Sequence, residues 1–307
     1  MYNDEIGSRV LLDKKSFTSH AFVTGSTGSG KSNSIYQLIE KMCFELNKDT
    51  EKTHFMVIEP AKGEYKKILG GYSELKVQVL GTNPHLTKLL RINPFSFPCQ
   101  IHVLEHIDRL IEIFNVCWPM YAAMPAVLKE SIERAYEAAG WDLTTSLCKY
   151  EINGKRTYPN FVDVLNQVNA VIHDSQYSAD SKGDYVGALS MRISSLTNGI
   201  NGLILTSNEL TDEELFDRNV IVDLSRVGSV ETKSLLMGLL IVKLQEYRLA
   251  SATGSNKVLR HITVLEEAHN LLKRTSIEQS SESSNLLGKS EDKLANAIAD
   301  MRTYGAG

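Results

Sequence analysis

The chain has 307 residues, 42% hydrophobic and 23% charged, the balance of a soluble globular protein with a sizeable core rather than of a disordered or fibrous one. A net charge of -4 excludes a uniformly basic, histone-like binder of nucleic acid, though basic groups could still line a single channel. The four cysteines, Cys43, Cys99, Cys117 and Cys148, form no C-x-x-C pair, so neither a disulfide framework nor a zinc site is expected.

The N-terminal segment MYNDEIGSRVLLDKK has no apolar stretch of the secretory kind. The longest strongly apolar run, 235–242, is far short of the ~20 residues of a membrane span. The expectation is a soluble, cytoplasmic chain with no membrane insertion. Residues 21–24 (AFVT) read as a short buried strand running into a glycine-rich turn. Beyond them Ile35, Leu38, Ile39 and Met42 recur on one helix face. A second strand is expected over 54–59, stopped by Pro60, and a third over 76–80. From about 101 to 200 the pattern turns helical. Leu104, Ile107, Ile111 and Phe114 share one face, and Leu128, Ile132 and Tyr136 another. Asn160 is placed to cap a helix carrying Phe161, Val164, Leu165 and Val168. No strand signal interrupts this region, which reads as a helical insertion or subdomain.

Alternation resumes with a strand over 219–223 and a long helix from about 230 to 248, with Leu236, Leu240, Leu244 and Tyr247 on one side. A polar turn at 251–256 leads to a strand over 261–265. Strands alternating with helices imply an α/β fold with a mainly parallel sheet. The organisation expected is a first core part over 1–100, the helical region over 101–200 and a second core part over 201–307. The serine-rich stretch 275–290 reads as a mobile loop, either a solvated linker or a loop facing a polymer in a channel.

Two motifs carry chemistry. Gly25, Ser26, Thr27, Gly28, Ser29, Gly30, Lys31 and Ser32 match the Walker A pattern in full, between an expected strand and an expected helix. Glycines let such a loop turn its backbone N–H groups on phosphate oxygens, and the following helix adds the positive end of its dipole. Lys31 would neutralise the β- and γ-phosphates of ATP and Ser32 would ligate Mg²⁺. Asn33, next on the helix, completes the expected nucleotide-binding set. The second motif, HITVLEE over 261–267, has the form of a Walker B strand. Glu266 would hold Mg²⁺ and Glu267 would polarise the attacking water. Glu59 and Asp223 also end expected strands, where they either order water or a neighbouring subunit, or simply cap the strand. Glu64 is a weaker candidate of the same kind. His269 is expected to be structural. The basic pairs Lys66/Lys67 and Lys273/Arg274 either touch phosphates or are solvated. Arg302, near the end of a helical pattern bearing Leu294, Ile298 and Met301, faces away from that apolar stripe.

The runs HAFVTGSTGSGKSNSIYQLIEKM, VIEPAKGEY, LRINPFSF, VIVDLSRVGSVETKSLLMGLLIVKLQEYR, VLEEAHNLL and ADMRTYGAG occur in this order. From about Ser19 onward, and most weakly over 101–200, the chain resembles the HerA-type ATPases of the HerA–FtsK superfamily. That resemblance implies a RecA-like motor, a homo-hexameric ring that uses ATP and Mg²⁺ to pump double-stranded DNA, held by its backbone. It also implies a nuclease or other effector protein as partner, in DNA end processing or antiviral defence. It assigns Lys31 and Ser32 to the nucleotide, Glu267 to catalysis and Arg302 to a trans-acting arginine. At Glu59 the family more often has Asp. A β-barrel preceding the motor in many relatives has no counterpart here. The family's next strand, with its polar sensor residue, would follow Gly307, so a C-terminally truncated core is expected. Rival readings are a secretion- or conjugation-type ATPase, and an ATP-binding ring scaffold for an effector.

Overall fold

The structure is a computed structural model that describes residues 13–45, 53–118, 120, 123–151, 154–176, 178–251 and 259–270. Helix α1 (Lys31–Glu40) follows the glycine-rich turn, and strand β1 (His54–Glu59) is the apolar run HFMVIE. A tight turn leads to the single-turn helix α2 (Tyr65–Ile68), then to β2 (Gln78–Gly81) and the short β3 (Lys88–Leu89). Next come α3 (Val103–Cys117), α4 (Met124–Ala138), a hairpin of β4 (Trp141–Asp142) and β5 (Leu147–Cys148), and α5 (Phe161–Asp174). The short helices α6 (Ala179–Tyr185), α7 (Met191–Thr197), α8 (Gly199–Ile204) and α9 (Asp212–Phe216) lead to β6 (Val220–Asp223). Helix α10 (Val230–Ala250) and β7 (His261–Leu265) follow. Some of the helix starts carry side-chain caps. Asn160 and Asp163 form a capping box on α5, Thr211 and Glu214 another on α9, and Ser229 caps α10.

The five main strands form one sheet in the order β3-β2-β6-β1-β7, every neighbouring pair parallel. Such strands are covered on both faces, which is why they read as continuous apolar runs. Met56, Ile58, Val220 and Val222 point into one core with α3, α4, α5 and α10. Phe55, Val57, Ile221 and Ile262 point into the other, with Ile39 and Met42 of the α1 segment and Tyr65 and Leu69 of the α2 segment. The α/β class and the mainly parallel sheet are therefore as expected.

Three local expectations differ. Residues 21–24 form no strand, and Phe22 and Val23 are 86% and 45% exposed. A strand draws its backbone hydrogen bonds from a neighbour, and among the described residues none pairs with this run. The helical region 101–200 contains the β4–β5 hairpin, whose two-residue strands are too short to leave a period in sequence. Trp141 anchors it, donating from Nε1 to the Thr157 carbonyl at 2.7 Å, and the Arg156 guanidinium lies 5.3–5.5 Å from the rings of Phe97, Trp141 and Tyr158. Finally, α10 does not bury one side: residues 234–246 are buried all round. Its charged groups are paired instead, Lys243 with Glu209 at 3.2 Å, Glu246 with His106 at 2.9 Å and Arg248 with Asp217 at 2.9 Å.

Candidate nucleotide site

The register of the sheet lines up three carboxylates at its carboxyl edge. Glu59 lies opposite Asp223, and Ile58 opposite Leu265, so Glu266 stands level with Glu59. The Glu266 N–H continues the ladder to the Ile58 carbonyl at 3.2 Å. Ligand crevices of open parallel sheets lie at this edge.

Each carboxylate has its own partners. After β1 the chain reverses through Lys62 and Gly63, with φ 57° and 64°. The reversal turns two N–H groups back on Glu59, whose Oε1 accepts from Glu64 at 2.6 Å and Oε2 from Tyr65 at 3.2 Å. Burial raises the Glu59 pKa, against these two bonds and with help from Asp223 and Glu266. Asp223 accepts from Lys66 Nζ at 2.5 Å and from Ser225 N and Oγ at 3.0 and 2.5 Å. Burial works against ionisation of Asp223, but Lys66 and Ser225 outweigh it and hold the pKa below the usual value. Glu266 accepts a hydrogen bond on Oε1 from the Tyr65 hydroxyl.

The P-loop, 25–30, is exposed. Gly28 and Gly30 take φ of 79° and 90°, left-handed conformations that other residues reach only at a cost of about 1–2 kcal/mol. A Cβ on Gly25 would lie 2.4 Å from Ser29 Oγ, so a side chain there would force the Ser29 hydroxyl to turn away. Lys31 Nζ donates to the carbonyls of Gly25 and Ser26 at 2.7 and 2.9 Å, which sets its charge at the mouth of the loop. Gly30 is the N-cap of α1 and brings no side chain to bond its first N–H groups. A bare helix N-terminus beside an ammonium group suits a polyphosphate.

The loop meets the carboxylates through two rings. Ser32 and Tyr36 are one turn apart on α1 and share a face. The Tyr36 ring packs edge-on against Tyr65 with centroids 4.7 Å apart, and Tyr65 in turn bonds Glu266. Burial, then Glu64, Glu59 and Glu266, push the Tyr36 pKa up to about 12, and its hydroxyl is buried without a partner. Tyr36 therefore links α1, the helix that carries Ser32, to Glu266 through Tyr65. Glu267 adopts φ 51°, which turns it off the strand line, and its Oε2 lies 3.3 Å from His269 Nδ1.

Of the residues singled out in the sequence, Glu59, Asp223 and Glu266 come together at the carboxyl edge of the sheet. The described contacts join Lys31 to its own loop and Glu267 to His269. Ser26, Thr27, Ser29 and Asn33 are exposed around the loop mouth. Lys66 is committed to Asp223 and is not a spare cation for a phosphate. Arg302, Lys273, Arg274 and the serine-rich 275–290 lie outside the described residues. Sequence reasoning missed Tyr65 and Tyr36; the available signal was the quoted run VIEPAKGEY, in which an aromatic closes a turn that begins at a strand-end carboxylate.

Among the described residues no group of three or more His, Cys, Asp or Glu is arranged to hold a metal unaided. Mg²⁺ bound with a nucleotide needs no such cage, because one or two protein oxygens, phosphates and water complete its shell. The hard oxygen donors of Ser32 and Glu266 fit that requirement. No helix among the described residues is long and apolar enough to cross a membrane.

A sequence profile of the helicase HerA central domain matches residues 2–244. No curated protein matches the sequence. Among solved structures, VirB4 of Thermoanaerobacter pseudethanolicus is similar with a TM-score of 0.59 and 15% identity, over 99% of this chain and 73% of that one. At that identity the likeness is one of fold. Parallel sheet, Walker A loop and a profile match over most of the length lead to one conclusion: the chain belongs to the HerA helicase central-domain family of P-loop ATPases.

Proposed function

We propose that the chain hydrolyses ATP and couples hydrolysis to movement along double-stranded DNA, as a homo-hexameric ring acting with a nuclease or another effector protein. The observation that supports the ATPase reading best is the path from Tyr36 on α1 through Tyr65 to Glu266, which ties the helix after the P-loop to the strand-end carboxylates. Lys31 and the α1 N-terminus bind the phosphates of ATP. Ser32 and Glu266 hold Mg²⁺, which when bound supplies positive charge to the β- and γ-phosphates. Glu267 orients and polarises the attacking water, and Arg302 of a neighbouring copy stabilises the developing charge. Movement on DNA rests on the family, and contact with its backbone implies salt-sensitive binding without base reading.

Two substitutions test the ATPase reading. Lys31→Ala should abolish ATP binding in equilibrium titrations. Glu267→Gln should keep binding and lower turnover by about 10²–10⁴-fold, the usual share of a general base. Turnover at the wild-type rate in Glu267→Gln would remove that carboxylate from the mechanism, and undiminished ATP binding in Lys31→Ala would remove the P-loop. A secretion- or conjugation-type motor is the second reading, because the fold likeness to VirB4 extends over 99% of the chain. That reading expects hydrolysis indifferent to DNA. A ring scaffold expects binding without turnover.

A further inference from the structure

We propose that Tyr65 is a positioning residue for Glu266, locked by a turn that Glu59 caps, and that it governs how readily the site takes up Mg²⁺. This rests on the nucleotide-site reading above. Both oxygens of Glu59 are engaged by the N–H groups of Glu64 and Tyr65, and Glu59 is only 3% exposed. Its carboxylate is thus the clamp of the 59–65 turn. The clamp fixes the backbone of Tyr65, and burial fixes its side chain: the residue is 1% exposed, in the same core as Leu69 and Ile221. A rigid ring can hold its hydroxyl in only one place, and that place is Glu266 Oε1.

The chemical consequence follows from the donor's direction. The phenol donates and the carboxylate accepts, so the bond occupies Oε1 of Glu266 and fixes the plane of its carboxylate. With Oε1 tethered, Oε2 is presented in one orientation instead of being free to swing about the side-chain torsions. Partners that orient a ligand in this way are worth about 10–100-fold in metal affinity. Tyr36 provides an internal contrast. It packs on the same ring, yet its hydroxyl has no hydrogen-bond partner among the described residues, so it contributes shape and not orientation.

The test is a Mg²⁺ titration of binding of a fluorescent ATP analogue to the full chain, for wild type, Tyr65→Phe and Tyr36→Phe. In Tyr65→Phe the Mg²⁺ midpoint should rise about tenfold, with analogue binding in EDTA unchanged. Tyr36→Phe should leave the midpoint where it is. Equal midpoints in wild type and Tyr65→Phe would overturn the proposal, and so would an equal shift in Tyr36→Phe, which would trace the effect to ring packing. A wild type that binds the analogue without regard to Mg²⁺, or not at all, would sink the nucleotide-site reading itself. A melting-temperature cycle of Tyr65→Phe and Glu266→Ala without nucleotide checks the bond independently of any ligand. The second substitution should cost nothing beyond the first, whereas additive losses would contradict the tether.

Discussion

His261 opens β7 fully buried, its Nδ1–H donating to the Phe216 carbonyl at 2.9 Å and its Nε2 without a partner. Burial, then the nearby Arg248 and His54 charges, push its pKa down to about 3. The unfolded chain binds a proton there near pH 6.5, and the folded chain does not. The stability from this neutral imidazole is therefore complete above about pH 6.5 and is lost as pH falls toward 3. His261→Gln should flatten that loss, by about 2 kcal/mol between pH 7 and pH 5, measured by urea unfolding at the two pH values. Parallel pH dependence in the two proteins would contradict it. At the strand ends the same logic of partners separates the carboxylates. Glu59 and Asp223 are consumed by the turn, by Lys66 and by Ser225, so of the three it is Glu266 that retains an oxygen for a ligand.

At the scale of elements, α10 shows what a buried helix requires. Lys243 is fully buried, and although burial disfavours its charge, Glu209 and Asp212 outweigh that and raise its pKa. Its ammonium donates to Ser96 Oγ at 2.8 Å and to the carbonyls of Asn93 and Ser96 at 3.3 Å. The LRINPFSF run is thus held to α10 by one cation. Lys243→Met should destabilise by about 3 kcal/mol, since it leaves Glu209 and Asp212 without their buried cation; an unchanged denaturation midpoint would show that the network is dispensable. The sequence made strands and caps readable because their signals are local: apolar runs for β1, β6 and β7, and Asn160 three residues before Asp163. The Walker A loop was readable because sterics dictate its glycines. The burial of α10 on all sides was not, because a helix that keeps Lys243 and Glu246 looks amphipathic until their partners are known. The bond from Tyr65 to Glu266 spans 201 residues and leaves no local trace. Residues 21–24 show the opposite failure, a strand-like run without a partner strand among the described residues.

Across the described residues, the parallel sheet gathers Glu59, Asp223 and Glu266 on one edge and buries helices on both faces, so these carboxylates stand on regular structure. The helices of 101–200 share one core with β1, β2 and β6. The arrangement of two core parts around that region is the organisation we propose for the motor. In the proposed function, coupling to DNA would belong to the assembled ring, so it is read best from turnover and not from any single residue. The decisive measurement is steady-state MgATP hydrolysis with and without linear duplex DNA at increasing salt. We expect duplex DNA to stimulate turnover, and the stimulation to fade as salt displaces backbone contacts. Hydrolysis that ignores DNA at every salt concentration would contradict a DNA motor and favour the secretion-type reading.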